Sequence, residues 1–305
     1  MNELPRVMIG GPIRDREWSA PGWLDALLSL DYPRELLTLA VLVNDSRDGT
    51  EACCRWWAGR ALDAGFGAAR VRVEDFGTTT DNNVRAGRDY AAFAQARDAW
   101  VAMRSEQEWL LQVDSDIQVP SDLLRRLLVE AGGTRSEAQP LTSCAARTES
   151  GPLPMVAAVV ANHHASALEW YTNVLVEEQV PAPGGGWRTG YAHENTAWRD
   201  FGPGVRRCDL TGACVLLNRT LFDAPPRGYG LRYYHPEMDA HGWNEDQVFC
   251  EALRSHGVCP AYAPAVRATH WMTAPVDQTY LTDPDWHERL GEYHLARARA
   301  LRGRA

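Results

Sequence analysis

The chain contains no lysine, and all 31 of its basic residues are arginines. This absence excludes mechanisms that depend on a lysine amine: the P-loop of nucleoside triphosphatases, the strand lysine of protein kinases, and Schiff-base catalysis. Any contact to phosphate must therefore come from arginine, backbone N–H groups, a helix N-terminus or a metal ion.

Targeting and membrane signals are also missing. No apolar run approaches the roughly 20 residues that span a bilayer. Residues 1–6 lack the long apolar core of a secretion signal. We therefore expect a cytoplasmic protein without a transmembrane segment. The seven cysteines include no C-x-x-C pair, which predicts reduced, mostly buried thiols.

The balance of charge limits the partners. The formal net charge is −9, and a surface of that sign repels phosphate backbones, so we expect no nucleic-acid partner. A small phosphorylated ligand remains compatible, because a bound divalent cation inverts the local field.

The 305 residues, 45% of them hydrophobic, alternate between strand-like and helix-like segments. The predicted strands are residues 6–10, 39–43, 70–73, 109–113, 155–161 and 210–217. The predicted helices are residues 21–30, 50–62 and 89–104, with further ones after Ser121, from Asn244 and from Asp285 onward. This alternation predicts an α/β fold with a mostly parallel sheet and helices on both faces. Residues 132–154 and 181–200 are predicted loops, the second of them resembling a lid.

The strongest functional signal is Asp114-Ser115-Asp116, directly after the apolar segment 109–113. Ligands of open α/β sheets bind outside the carboxyl ends of the strands. A hard divalent cation held there by few carboxylates keeps positions open for diphosphate oxygens. An acidic turn after a strand would show the same residues, but the preceding buried strand favours the metal site.

Two other segments carry candidate polar groups. The loop from Asn44 to Thr50 can hydrogen-bond a nucleobase or ribose, although a plain turn before a helix needs the same residue types. Glu245 and Asp246 begin a predicted helix, where the dipole favours carboxylates. Either of them could also deprotonate an acceptor hydroxyl as a general base.

His270 is a further candidate, near the end of the apolar segment Ala268 to Trp271. It is either a structural histidine or a late third metal ligand. In the second case its imidazole would favour Mn²⁺ over Ca²⁺.

The order of these motifs resembles the GT-A glycosyltransferases, in particular family-2-like and Anp1-like enzymes. The resemblance covers about residues 6–271. Its motifs are the first strand, Leu30 to Pro33, Val43 to Ser46, Ala96 to Asp98, Asp114-Ser115-Asp116, Thr211 to Cys214, Glu245-Asp246 and His270. The early loop departs from the family pattern, having Asn44-Asp45-Ser46 where Asp-Asp-Gly-Ser is usual, which leaves the nucleotide base open.

The resemblance implies a role for each of these residues. Pro12, Asn44 and Asp45 would contact the nucleoside, and Arg97 would lie near the donor phosphates or brace the aspartates. Asp116 and His270 would hold Mn²⁺ or Mg²⁺, and Asp114 would contact ribose or metal. Gly212 would let the backbone approach the donor sugar closely. Asp246 or Glu245 would be the general base.

On this resemblance we expect a metal-dependent glycosyltransferase with a single GT-A domain over residues 1–275. Residues 1–131 would bind the nucleotide sugar, residues 150–275 would form the acceptor half, and residues 276–305 would be a helical extension. The donor would be a UDP- or GDP-sugar, and the acceptor a small molecule, a glycan or a secondary metabolite. Inversion is favoured, with a retaining transferase and a non-catalytic nucleotide-sugar-binding protein as alternatives.

Other enzyme classes fit less well. A haloacid-dehalogenase-like phosphatase carries its Asp-x-Asp on the first strand and needs a lysine. A sugar nucleotidyltransferase needs a Gly-rich loop followed by lysine, which Gly10 to Arg14 only faintly resembles. A Rossmann dehydrogenase needs G-x-G-x-x-G after the first strand, where this chain has Gly10-Gly11-Pro12.

Overall fold

The computed structural model describes residues 4–78, 89–132, 153–163, 170–181, 186–194, 197, 200, 202–238 and 244–270. In these residues the α-helices are α1 (Ala20–Leu28), α2 (Thr50–Asp63), α3 (Tyr90–Val101), α4 (Leu123–Gly132) and α5 (Glu245–Ser255). The strands are β1 (Val7–Ile13), β2 (Leu37–Asn44), β3 (Ala68–Glu74), β4 (Trp109–Val113), β5 (Ile117–Gln118), β6 (Met155–His163), β7 (Trp170–Thr172), β8 (Val174–Pro181), β9 (Trp187–His193), β10 (Arg206–Arg207), β11 (Leu210–Thr211), β12 (Cys214–Asn218) and β13 (Ala261–His270).

A ten-stranded sheet forms the centre of the structure. Eight strands follow the order β10-β13-β6-β12-β4-β1-β2-β3, while β5 pairs with β13 and β7 with β6. β1 is parallel to β2 and β4, and β2 is parallel to β3. β12 runs antiparallel to both β4 and β6, so it is a reversed strand within a mostly parallel arrangement. A separate antiparallel sheet has the order β11-β8-β9.

Helices cover both faces of the central sheet because its strands alternate apolar side chains between two cores. Within β4, Leu111 belongs to the core that contains α1, α2 and α4, whereas Leu110 belongs to the core that contains α3 and α5. The predicted fold class, an α/β fold with a mostly parallel central sheet and helices on both faces, is confirmed.

The first strand is longer than predicted. β1 continues through Gly10 and Gly11 to Ile13, where the sequence predicted a break. A Cβ atom on Gly10 would lie 2.1 Å from the carbonyl oxygen of Ala40, and one on Gly11 would lie 2.8 Å from that of Val113. These glycines therefore allow close approach of neighbouring strands rather than ending the strand.

The predicted strand 210–217 is two strands that belong to different sheets. β11 pairs with β8, while β12 pairs with β4 and β6. The chain turns between them at Gly212 and Ala213, and Ala213 has a φ of 67°. This left-handed conformation is unfavourable for a residue with a Cβ atom, so composition alone did not indicate the break.

The predicted lid-like loop over residues 181–200 is wrong for its central part. Trp187–His193 forms strand β9, paired along its length with β8. Glycines and prolines on either side concealed the strand, and β8 itself was not predicted. The predicted loop 132–154 lies outside the described residues from 133 to 152, and the predicted extension 276–305 lies wholly outside them.

Cysteine chemistry differs from prediction at one position. Cys53, Cys54, Cys208, Cys214 and Cys250 are buried free thiols, as expected. Cys259 is disulfide-bonded, so the prediction of reduced thiols is wrong for this residue. No helix in the described part of the chain is long and apolar enough to cross a membrane.

Candidate active site

Strand ends place the predicted functional residues at one edge of the central sheet. β1, β2 and β4 are parallel, and β13 shares their direction because β12 is antiparallel to β4 and β6 while β6 is parallel to β13. Asp45 follows β2, Asp114 and Asp116 follow β4, and His270 ends β13. Residues far apart in the sequence therefore meet at the edge where ligands of such sheets bind.

Arg97, from α3, joins the strand-end aspartates to the first turn of α5. Its Nη2 atom lies 3.2 Å from a carboxylate oxygen of Asp114 and 3.2 Å from one of Glu245, while Nη1 donates a hydrogen bond to Asp246. The guanidinium also lies 5.4 Å from the ring centre of Tyr233. Arg97 therefore links Asp114, after β4, to both carboxylates at the start of α5.

The electrostatics of this cluster favour cations. Burial raises the pKa of Asp114 to about 7, opposed by Arg97 and reinforced by Asp246 and Asp116. Burial likewise raises the pKa of Asp246 to about 6, opposed by Arg97 and reinforced by Glu245. Although burial disfavours its charge, Arg97 keeps a pKa well above its usual value because the carboxylates surround it. Negative charge thus exceeds positive charge here.

The two aspartates are partly buried, each with some exposed side-chain surface. The side chain of Asp114 is 34% exposed, and that of Asp116 is 18% exposed. Oδ2 of Asp116 lies 3.6 Å from Nε2 of His270, because β5 brings Ile117 into register with His270. Each aspartate also pairs with a buried arginine: Asp114 with Arg97 at 3.2 Å and Asp116 with Arg16 at 3.8 Å.

Asp116 and His270 suit a divalent cation. Two ligands about 2.1 Å from one octahedral ion stand about 3 Å apart, close to the observed separation. A carboxylate oxygen with an imidazole nitrogen is a donor set that Mn²⁺ accepts. Among the described residues no cluster of three or more His, Cys, Asp or Glu surrounds one point. Asp114, also predicted as a ligand, accepts a hydrogen bond from Arg97 at 3.2 Å.

A cavity of about 490 Å³ opens beside the end of β2. Its described lining comprises Asp45, Ser46, Arg47, Val73, Glu74, Asp75, Gly77 and Thr78. Asp45 has a φ of 48°, and its Oδ1 accepts hydrogen bonds from the backbone N–H groups of Phe76 and Thr78 at 2.9 and 3.2 Å. Asp45 therefore holds together the wall of the cavity.

The other predicted nucleoside contacts lie next to this cavity. Asn44 is the buried last residue of β2, and its Nδ2 donates to Oδ2 of Asp45 at 3.2 Å. Pro12 lies on β1 in register with Leu42 of β2. The three residues thus share one corner of the sheet edge.

The segment after β1 connects the cavity to the aspartates, and sequence reasoning missed it. Arg14 and Arg16 are both buried. Arg14 donates to Oγ1 of Thr78 at 3.3 Å, and Nη2 of Arg16 lies 3.8 Å from Oδ2 of Asp116. Two arginines directly after a buried strand, in a chain without lysine, were the available signal.

The absence of a side chain at Gly212 leaves space for the carboxylate of Asp246. A Cβ atom on Gly212 would lie 2.0 Å from Oδ2 of Asp246. The backbone there is fixed by Asn173, whose Nδ2 donates to the carbonyl oxygen of Gly212 at 2.8 Å. The implied role of Gly212 was close approach to the donor sugar, whereas in the structure it adjoins the carboxylate. Asn173 was not predicted, because its partners are distant in sequence.

Asp98 fixes the segment that precedes α5. Its carboxylate accepts hydrogen bonds from the backbone N–H groups of Tyr233 and Tyr234 at 2.9 and 3.1 Å. The ring of Tyr233 stacks on Phe249 with centres 4.3 Å apart. Neighbouring residues of α3 therefore contact different parts of the site: Arg97 contacts carboxylates, and Asp98 contacts the backbone of Tyr233 and Tyr234.

Comparison with known proteins finds similar solved structures. The chain is similar over 97% of its length to 74% of a mannosyltransferase from Pyrobaculum calidifontis in complex with GDP-Man and Mn²⁺, with 15% identity and a TM-score of 0.47. It is similar over 90% of its length to 68% of S. aureus TarS 1-349 in complex with UDP, with 12% identity and a TM-score of 0.46.

A glucosyl-3-phosphoglycerate synthase from Mycobacterium tuberculosis, in complex with Mg²⁺ and UDP, matches 51% of this chain and 44% of its own, with 21% identity and a TM-score of 0.30. At such identities and TM-scores these likenesses establish no shared chemistry. No family model and no curated protein matches the chain.

Proposed function

We propose that the protein is a metal-dependent glycosyltransferase that moves a sugar from a UDP- or GDP-sugar to a hydroxyl acceptor, with inversion. The observation that carries this proposal is the grouping at one sheet edge of Asp116 beside His270 and of Asp114, which Arg97 links to Asp246. A cavity of about 490 Å³ opens at the same edge, at the end of β2. A single displacement needs these three elements: a place for the nucleoside, a cation for the diphosphate and a carboxylate for the acceptor.

The donor side comes from the first half of the chain and the end of β13. Pro12, Asn44 and Asp45 would contact the nucleoside, and Asp116 with His270 would hold Mn²⁺ or Mg²⁺. When bound, the cation neutralises charge on the departing diphosphate, which is commonly the largest catalytic effect. Asp114, fixed by Arg97 at 3.2 Å, would accept a hydrogen bond from ribose.

The acceptor side comes from α5. Asp246 would take the proton of the acceptor hydroxyl, and Glu245 is the alternative base. A pKa raised to about 6 makes the Asp246 carboxylate a better base than an ordinary aspartate while leaving it ionised at neutral pH. Arg97 orients this carboxylate, and Gly212 leaves the space in which it lies.

The two halves would act as one domain. β12, from the acceptor half, lies between β4 and β6, so the site depends on strands from both halves. The single-domain organisation over residues 1–275 and the cytoplasmic location remain proposals. Acceptors in this scheme are small molecules, glycans or secondary metabolites with a free hydroxyl.

A donor panel tests this function. The wild-type protein is incubated with UDP- and GDP-sugars, Mn²⁺ and a set of hydroxyl acceptors, and nucleoside diphosphate release is measured. We expect one donor class to turn over.

Asp246→Asn should lower transfer about 10²–10⁴-fold, the usual contribution of a general base, with nucleotide binding retained. Glu245→Gln tests the alternative base: a larger loss of transfer in this variant than in Asp246→Asn would assign the base to Glu245.

Three outcomes decide between the alternatives. A product of inverted anomeric configuration, identified by NMR, supports the base assignment, and a retained configuration contradicts it. Full activity of Asp246→Asn would show that this carboxylate is not the base. Nucleotide-sugar binding without turnover with any acceptor would favour the non-catalytic alternative.

A further inference from the structure

We propose that Arg16 contacts the diphosphate of the donor. A divalent cation that binds Asp116 would displace Arg16 from this carboxylate, and the guanidinium would then contact the diphosphate. This inference rests on the proposed function. Oδ2 of Asp116 lies 3.8 Å from Nη2 of Arg16 and 3.6 Å from Nε2 of His270. One carboxylate oxygen thus faces both the guanidinium and the second candidate metal ligand.

The backbone of Arg16 is fixed while its side chain is long enough to change partners. The N–H group of Arg16 donates to Oγ1 of Thr50 at the start of α2, at 2.8 Å. The guanidinium lies 5.7 Å from the ring centre of Trp18, and the side chain is only 7% exposed. Nη1 of Arg16 also donates to the carbonyl oxygen of Asp15 at 3.4 Å. A turn of the guanidinium toward an incoming anion would change these side-chain contacts and leave the backbone hydrogen bond to Thr50 in place.

Charge repulsion favours this exchange. A guanidinium and a divalent cation on the same carboxylate oxygen would lie about 4 Å apart and repel each other. A cation on Asp116 would displace Arg16, and the displaced guanidinium would need another anion nearby. The diphosphate held by the cation provides that anion, in the bidentate geometry that arginine favours.

Three other arginines lie near the site, and one of them, Arg47, lines the cavity beside the end of β2. Both terminal nitrogens of Arg97 contact carboxylates, and Arg14 donates to Thr78 at the cavity. The chain has no lysine that could serve instead. Arg16 is therefore the described basic residue best placed for a diphosphate on Asp116 and His270.

This role predicts that Arg16→Gln changes the affinity for Mn²⁺ and the affinity for UDP or GDP in opposite directions. We compare wild type with Arg16→Gln, and use Arg6→Gln as control, since Arg6 precedes the other end of β1 and pairs with exposed Glu106. Mn²⁺ binding is followed by the EPR signal of the free ion. Without nucleotide, Arg16→Gln should bind Mn²⁺ about 3–10-fold more tightly, because a competing charge is removed. With saturating Mn²⁺ it should bind UDP or GDP at least about tenfold more weakly.

A measurement on the wild-type protein avoids dependence on the folding of the variant. Phenylglyoxal modifies accessible arginines, and mass spectrometry locates the modified residues. Modification of Arg16 should increase with Mn²⁺ alone and decrease again when UDP or GDP is added with Mn²⁺. Arg97 should stay protected and Arg6 reactive in all three states.

The failures are distinguishable. Wild-type protein that binds neither UDP nor GDP with Mn²⁺ overturns the proposed function together with this inference. Wild-type binding with unchanged affinities in Arg16→Gln overturns the role of Arg16 alone. Weakening of both affinities would show a merely structural residue, and constant modification of Arg16 in the three states would exclude the exchange of partners.

Discussion

At the scale of single residues, Arg97 determines the charge of the site. It is a buried guanidinium that contacts Asp114, Glu245 and Asp246. Removal of one partner from a buried ionic cluster leaves uncompensated charge and is strongly destabilising. The role of Arg97 as a brace therefore has a consequence for stability that is independent of catalysis.

Substitution of Arg97 by Met should lower the free energy of unfolding by about 3–5 kcal/mol, measured by urea denaturation without metal. Arg55→Met is the control. Arg55 pairs with Glu51 on the exposed surface of α2, with side chains 56% and 46% exposed, so its loss should cost no more than about 0.5 kcal/mol. Equal effects of the two substitutions would contradict the role of Arg97.

The loss in free energy of unfolding caused by Arg97→Met should also depend on pH. The carboxyl pKa values of Asp114 and Asp246 are raised to about 7 and about 6, so the folded state binds more protons than the unfolded state above about pH 4. The protonated carboxyl groups of Asp114 and Asp246 therefore stabilise the folded state at low pH, and this contribution is lost as the pH rises toward 7. The deficit should be smaller at pH 5 than at pH 8.

At the scale of elements, the turn between β11 and β12 sets the position of α5. Gly212 lies against the carboxylate of Asp246, and Asn173 fixes the backbone of Gly212 from the segment between β7 and β8. A side chain at position 212 would push this carboxylate out of place. The close contact between turn and helix is therefore a requirement of the proposed mechanism.

Gly212→Ala should lower transfer about 10²-fold or more, because a misplacement of about 1 Å has effects of that size. Nucleotide binding should be retained. Gly59→Ala in α2 is the matched control, since a Cβ atom there has no heavy atom within 4 Å. It should keep full transfer and gain about 0.5–1 kcal/mol of stability. Undiminished transfer in Gly212→Ala would contradict the assigned position of Asp246.

Element types could be predicted where the pattern is local. The apolar segment of β4 followed by two aspartates predicted both a strand and a candidate site. Contacts across long sequence separations could not be predicted: Arg97 meets Asp114 and Asp246 across 17 and 149 residues. β9 was concealed because strand pairing with β8, rather than a distinctive composition, holds it in place.

At the scale of the whole molecule, the reversed strand β12 joins the two halves. It places Cys214 opposite Val113 at the end of β4, so the turn that adjoins Asp246 lies beside the aspartates of the first half. The turn and the strand-end aspartates thus come from different halves of the chain, and α5 adds Glu245 and Asp246 to them through Arg97.

The most direct test of this account is the Mn²⁺ dependence of nucleotide binding, measured as a thermal shift. UDP or GDP at about 100 times its Kd should stabilise the wild-type protein by about 2.7 kcal/mol with Mn²⁺ present. Asp116→Ala should lose this shift, while Asp31→Ala, which removes an exposed partner of Arg125, should keep it. An equal shift in Asp116→Ala, or no shift in the wild-type protein, would contradict the account.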